Sequence, residues 1–344
     1  MNPIGVLIVD DSPTVQSVLK SILSASADIE VVGTASDAFE AKDLIVEKGP
    51  DVITLDIEMP RMDGITFLKR LMTFRPIPVI MISSYTRENS LRTFEALDAG
   101  AVDFVAKPTK DVRTGLLELK YEITAKVRAA AGANIRPALP FAKPQEPSPT
   151  ARTKFSDKVI ALGASTGGTY AIRRLLESMP FDMNPIVIVQ HMPRRFTKAF
   201  AQQLDSLLTL EVKEAEDGDR LSRGKVLLAP GGWHLLVAKD SQGYYIRLRD
   251  GSLVKHQRPS IDVCFHSVAK AAGPDAIGVI LTGMGDDGAD GLLAMRQAGA
   301  FTVAQDETTS IVFGMPAAAI ERGAVEVVAA LDKIAGIVLA SLAS

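Results

Sequence analysis

The chain has 344 residues, 47% hydrophobic and 23% charged, which suits a soluble globular protein and excludes disordered and fibrous classes. That length exceeds one ordinary domain, so two globular domains with separate cores are expected. A net charge of -3 leaves no basic footprint for nucleic acid; the opening MNPIGVLIVDDS has no basic leader with a long apolar core, and no apolar run reaches the ~18 residues of a membrane span, so a cytoplasmic protein without membrane insertion is expected.

From the N-terminus, short β-branched runs alternate with helical periods: VLIV (6–9), VVGTA (31–35), VITLD (52–56), PVIMIS (78–83) and FVAK (104–107). Alternation of this kind predicts βαβ units and a doubly wound sheet of five parallel strands. Ser12 is placed to cap the first helix, with Pro13 at its first turn and Val15, Leu19, Ile22 and Leu23 at helical spacing. A last amphipathic helix is expected at about 116–131.

The strand ends of this half carry matched chemistry. Asp10 and Asp11 follow the first strand and Asp56 closes the third, on the carboxyl edge where open α/β sheets bind ligands. Three carboxylates gathered there repel unless a hard cation neutralises them, and Mg²⁺ with oxygen ligands is the natural occupant. Ser83 and Lys107, at the ends of the fourth and fifth strands, add a hydroxyl and an ammonium to hold phosphoryl oxygens. An isolated Asp-Asp pair is more often only a helix cap, but five matched positions at strand ends favour reversible aspartyl phosphorylation. The segments VLIVDDS, ITLDIEMPRMDG, MISS and GAVDFVAKP resemble the receiver domain of bacterial response regulators over roughly residues 4–125, which has a flavodoxin-like fold. The resemblance implies that Asp56 accepts the phosphoryl group, that Asp10, Asp11 and the backbone carbonyl of Glu58 serve Mg²⁺ with it, and that Ser83 and Lys107 sense the phosphate. Phe104 occupies the position of the switch aromatic.

Between about 132 and 155 the pattern gives way to a Pro- and Ala-rich stretch without apolar periodicity, read as an extended linker. The domain limits expected are 1–128, a linker at 129–155, and 156–344. After the linker, strands are predicted at 159–163, 185–190, 210–215, 225–230, 234–239, 244–249, 276–283 and 300–306, and helices at about 169–178, 194–208, 261–272, 287–298 and 315–322. The mixture predicts a second α/β domain with a mostly parallel sheet and an antiparallel hairpin section near 225–250. The one cysteine, Cys264, rules out an internal disulfide or a Cys-based zinc site, and reads as a buried small hydrophobe.

VIALGASTGGTYAIRRLL (159–176) poses the central question of this half. No Lys follows Gly168 as a P-loop requires, and Ser165 breaks the dinucleotide fingerprint. GASTG instead fits G-x-S-x-G, a turn that exposes the hydroxyl of Ser165, although such a serine is as often only a helix cap. A serine needs a base. Of four histidines, His191 directly follows the strand PIVIVQ, whereas His234, His256 and His266 read as packed or solvated. A carboxylate to orient the base should sit at another strand end, where GMGDDGADG offers Asp286 and Asp287 together with backbone N–H groups for an oxyanion.

GASTGG, QHM, APGG with WHLL, RPSIDVCFHSVA, LTGMGDDGADG and FGMPAAAI together resemble the catalytic domain of the chemotaxis response-regulator protein-glutamate methylesterases, the CheB family. APGG stands where the family pattern carries an acidic residue, and GDD where GND is common. The resemblance implies a triad of Ser165, His191 and Asp287, with Met284 donating its backbone N–H to the oxyanion and Thr166 near the nucleophile. It implies a phosphorylation-activated serine esterase without a cofactor for the ester step, a chemotaxis histidine kinase as phosphodonor, and glutamyl methyl esters on chemoreceptor cytoplasmic domains as substrate, with deamidation of receptor glutamines as a further activity. A monomer is expected, in which a tethered, unphosphorylated receiver restrains the catalytic face. The alternative is a response regulator whose second domain only binds a partner.

Overall fold

Each β-branched run of the first half forms a strand, and the intervening amphipathic segments form helices. The computed structural model describes residues 2–84, 87–108, 111–135 and 158–343. The chain divides into two units, Met1–Leu139 and Pro140–Ser344. In the first, chain order is β1 (Ile4–Val9), α1 (Pro13–Ser24), β2 (Ile29–Ala35), α2 (Ala38–Lys48), β3 (Val52–Asp56), α3 (Gly64–Phe74), β4 (Val79–Ser84), α4 (Arg87–Asp98), β5 (Asp103–Lys107), α5 (Val112–Glu118) and α6 (Lys120–Ala131). The sheet order is β2-β1-β3-β4-β5, all pairs parallel, which is the flavodoxin-like arrangement. Ser12 caps α1 as expected, with Pro13 opening it, and Val15, Val18, Leu19, Ile22 and Leu23 form its buried stripe. The single last helix expected at 116–131 is two helices. Asp111 supplies an earlier cap by accepting from the Thr114 amide, and the backbone leaves helical geometry at Leu119.

The expected linker lies outside the described residues from 136 to 155. Beyond it come β6 (Val159–Ala164), α7 (Gly168–Glu177), β7 (Ile186–Gln190), α8 (Arg194–Leu207), β8 (Glu211–Glu214), β9 (Lys225–Leu228), β10 (His234–Asp240), β11 (Gly243–Arg249), α9 (Ile261–Ala272), β12 (Ala276–Ile280), α10 (Ala289–Gln297), β13 (Phe301–Gln305), α11 (Met315–Glu321), β14 (Val327–Ala329) and α12 (Leu331–Ala343). Seven strands form one parallel sheet in the order β14-β13-β12-β6-β7-β9-β8. The central strands β6, β7 and β12 are buried along their whole length, as a parallel sheet covered on both faces requires.

The antiparallel section is narrower than 225–250. Only β10 and β11 form the hairpin; β9 sits inside the parallel sheet between β7 and β8, where the buried Val226, Leu227 and Leu228 belong to the main core. Two elements had no expectation: β14 is three residues long, and α12 is apolar with little polar punctuation. Among the described residues no helix is long and apolar enough to cross a membrane.

Both sheets reverse their strand order at one point. In the first unit the chain turns back between β1 and β3; in the second, β7 extends from one side of β6 and β12 from the other. Crevices at the carboxyl ends of strands beside such reversals are where open α/β sheets place ligands.

Candidate functional site

At the β1/β3 reversal the side chains of Asp10, Asp11 and Asp56 converge, each offering an oxygen within 4.8 Å of the others. Asp10 and Asp56 are buried and Asp11 is exposed. The Lys107 ammonium lies 2.7 Å from Asp56 Oδ2 and 2.8 Å from Asp10 Oδ2, and the Ile57 amide donates to Asp56 Oδ1 at 2.8 Å. Burial raises the Asp56 carboxyl to about 6, with Lys107 opposing and Asp10 assisting the rise, and the amide of Glu58 also donates to this carboxylate. Burial likewise pushes Asp10 up. Lys107 is raised, because the attraction of Asp56 and Asp10 outweighs its own desolvation.

This centre suits a divalent cation with oxygen ligands. Among the described residues three carboxylates face one ammonium, and the buried Asp10 Oδ2, close to Lys107, makes no well-directed hydrogen bond. Ser83 follows Ile82, the residue registered against Asp56 across β3 and β4; its hydroxyl accepts from Thr93 Oγ1 at 2.9 Å. Phe104 is buried. The Lys126 ammonium lies 5.3 Å from the centre of its ring and donates to its carbonyl at 2.5 Å, so α6 holds both the ring and the backbone of β5 at this position.

In the second unit, strand register brings Ser165 and His191 side by side. Ala164 pairs with Gln190 across β6 and β7, the next residue on each strand is Ser165 or His191, and the His191 amide donates to the Ala164 carbonyl at 3.1 Å. The amide of Ser165 donates to the Thr282 carbonyl beyond β12 at 3.0 Å, so the serine sits between the two neighbouring strand ends. Ser165 is half-buried. Its φ is not positive; the left-handed residue of the turn is Gly167 (φ 76), which opens α7. The strained serine of the usual G-x-S-x-G elbow is thus replaced by a turn in which glycine carries the unusual backbone.

His191 Nε2 lies 2.7 Å from Asp287 Oδ2, with both side chains almost entirely buried. A carboxylate can only accept, so Nε2 carries a proton, and in the neutral ring the lone pair falls on Nδ1. Nδ1 is buried and, among the described residues, has no hydrogen-bond partner.

Asp287 is held as an anion. Its Oδ1 accepts from Ser260 Oγ at 2.8 Å and from the Asp262 amide at 3.1 Å, and its Oδ2 accepts from the Ile261 amide at 2.7 Å in addition to His191. Three of these donors belong to the start of α9, whose dipole favours a negative charge there. Burial acts against ionisation, but His191 and the two amides outweigh it and hold the carboxyl below the usual range.

Asp286 faces elsewhere. It is half-exposed and pairs with Lys255 at 3.2 Å and Arg322 at 2.5 Å, and the two cations also hold Asp290. The backbone of the GDDGADG loop thus turns one of two adjacent carboxylates to His191 and the other to a surface ion-pair cluster, with left-handed glycines at 285 and 288 on either side.

Met284 adjoins a close approach of this loop to the serine: a Cβ on Gly283 would lie 2.8 Å from Ser165 Cβ. Thr166 is buried and its carbonyl accepts from Thr282 Oγ1 at 2.9 Å. Supporting residues absent from the sequence reading are Gln190, whose amide donates to the carbonyls of Ser165 (2.9 Å) and His191 (3.2 Å), and Ser260. Ser260 had a visible signal, a hydroxyl residue immediately before the apolar-periodic IDVCFHSVA. His256 and His266 are exposed, and Cys264 is buried with its thiol pushed up to about 12 by burial.

Two family descriptions match the chain: a CheB methylesterase over residues 160–338 and a response regulator receiver domain over residues 6–115. The protein-glutamate methylesterase/protein-glutamine glutaminase of Sulfurimonas denitrificans is 50% identical over 348 residues, covering 99% of each chain. Its counterpart from Chromohalobacter salexigens is 52% identical over 97% of this chain and 93% of its own, and that of Salmonella typhimurium 48% identical over 100% and 98%. The crystal structure of the Thermotoga maritima CheB methylesterase catalytic domain superposes with a TM-score of 0.53 at 37% identity, covering 54% of this chain and 99% of that one.

Proposed function

Because the chain belongs to the CheB methylesterase family and carries a receiver domain before the esterase, we propose that it removes methyl groups from glutamyl esters of chemoreceptors and deamidates receptor glutamines, under the control of aspartyl phosphorylation. The observation that carries this reading is the pairing of His191 Nε2 with Asp287, which leaves Nδ1 buried and, among the described residues, unbonded next to the strand end that bears Ser165.

Ser165 Oγ attacks the γ-carbonyl of the glutamyl ester as its proton passes to His191 Nδ1. The charge that develops on the carbonyl oxygen is met by backbone N–H groups near Gly283, among them that of Met284. His191 then gives the proton to departing methanol. Water, deprotonated by the same nitrogen, attacks the acyl-serine, and the products are glutamate and free Ser165. With glutamine the leaving group is ammonia and the residues serve unchanged. Asp287 stays ionised throughout, stabilising the imidazolium. Thr166 borders the nucleophile. The triad uses Nδ1 as the base, whereas the familiar serine-protease arrangement uses Nε2.

In the receiver, Asp56 accepts a phosphoryl group from a histidine kinase, and Lys107 and Ser83 hold its oxygens. Asp10, Asp11, Asp56 and the Glu58 carbonyl would hold Mg²⁺, which supplies charge neutralisation at the transferring phosphoryl group. Phe104, gripped by Lys126, is the element that responds. The limits 1–128 and 156–344 remain our proposal for the two domains, acting in the cytoplasm.

The test is methanol and ammonia release from a receptor fragment, with and without a small-molecule phosphodonor. The full chain should release methanol faster when phosphorylated, and Ser165→Ala should release neither product. Normal turnover by Ser165→Ala would overturn the assignment, and binding of the fragment without release by the intact chain would favour a partner-binding module.

A further inference from the structure

We propose that His234 is a positioning residue for the hydrolytic site, fixing the start of α9 that holds Asp287. This rests on the triad reading above. His234 stands at the root of the β10–β11 hairpin, is 4% exposed, and lies twenty-six residues from the helix it contacts. Its Nε2 is 3.0 Å from the Ser252 carbonyl and its Nδ1 is 3.2 Å from the Ser260 amide.

The chemistry of these partners fixes the state of the ring. A carbonyl only accepts, so Nε2 carries the proton; a backbone amide only donates, so Nδ1 must be a bare lone pair. The ring is therefore neutral and in one tautomer. A proton on Nδ1 would set two donors face to face.

Ser260 connects His234 to the reaction. Its amide is spent on His234, its hydroxyl donates to Asp287 Oδ1 at 2.8 Å and accepts the cap bond from the Val263 amide at 3.4 Å, and the next two amides, of Ile261 and Asp262, also donate to Asp287. His234 thus anchors the residue from which three of the four donors to Asp287 begin. Loss of the Nδ1 acceptor would leave a buried amide unsatisfied and let the turn at Ser260 shift, and the error would reach His191 as a misaimed carboxylate. It also gives the hairpin, which stands outside the parallel sheet, a role in the site.

His234→Asn and His234→Gln separate this from simple packing. Asn places an acceptor near the Nδ1 position, and Gln places a donor near Nε2. With the phosphorylated full chain and a receptor fragment, His234→Gln should lower kcat about ten- to hundred-fold with KM little changed, the range seen when groups that orient the ligands of metal sites are removed, and His234→Asn should restore most of it. The downfield proton of the His191–Asp287 hydrogen bond should shift or broaden in His234→Gln and not in His234→Asn. Equal losses in both variants, or none in either, would overturn the proposal. A wild-type chain that releases no product would instead count against the esterase reading itself. Independently of how the variants fold, nitrogen NMR of the wild-type protein near neutral pH should find His234 neutral with its proton on Nε2; a cationic ring or the opposite tautomer would equally overturn it.

Discussion

Asp56 and Asp287 are both almost fully buried, and both lie at the carboxyl ends of parallel strands beside a reversal of strand order, yet their surroundings drive them in opposite directions. Asp56 shares one ammonium with a second buried carboxylate, and burial prevails, raising it to about 6. Asp287 meets four donors, its anionic neighbour Asp262 is paired with Lys255 at 2.9 Å, and it is held below the usual range. The count and kind of donors, rather than depth, decide which carboxylate is a permanent anion. One is suited to orient a base for every turnover. The other is left short of positive charge, which suits a group that works together with a cation and a phosphoryl donor.

The largest effect should come from breaking the stronger of the two. Asp287→Asn keeps the shape but removes the obligate acceptor, so His191 can settle in the wrong tautomer; kcat for methanol release should fall by about 10⁴-fold. Asp286→Asn, one residue away, removes a half-exposed partner of Lys255 and Arg322, and kcat should change less than about threefold. A large loss there would assign the orienting role to the wrong neighbour.

The receiver responds in its stability. A carboxyl raised on folding binds more protons in the folded state, so Asp56 contributes stability below its ordinary value near 3.8 that is lost as pH rises through about 6. Asp56→Asn should therefore stabilise the metal-free receiver at pH 8, on the order of 1–3 kcal/mol, in denaturant unfolding, while abolishing phosphorylation. Asp287 has the opposite sign: its contribution is present at neutral pH and lost only as pH falls below the ordinary carboxylate range. The smallest effect concerns Cys264, whose thiol, raised to about 12, should resist maleimide at pH 8 in the folded chain and react on unfolding.

Much of both sites was legible because their residues sit at strand ends, and strand ends follow from β-branched runs. Asp10, Asp56, Ser83 and Lys107 could be placed on one edge from periodicity alone, as could Ser165 and His191. The choice between Asp286 and Asp287 could not, since adjacent residues of a glycine-rich loop point apart according to backbone angles that composition does not encode. In sequence His234 reads as merely packed or solvated, because its partner Ser260 is remote and meets it only when the hairpin folds against α9. Gln190 carried a weak signal, a polar residue ending a wholly buried strand. The hairpin is narrower than the sequence suggests because β9 has the same apolar run whether its neighbours are parallel or antiparallel.

Carbon-detected titration of the aspartate carboxyls in the metal-free full chain, with Asp56 and Asp287 assigned by substitution, tests the contrast most directly. Asp56 should titrate near 6 and Asp287 below the ordinary aspartate range. Two carboxyls titrating together near 4, or an Asp287 that protonates before Asp56 as the pH is lowered, would contradict it.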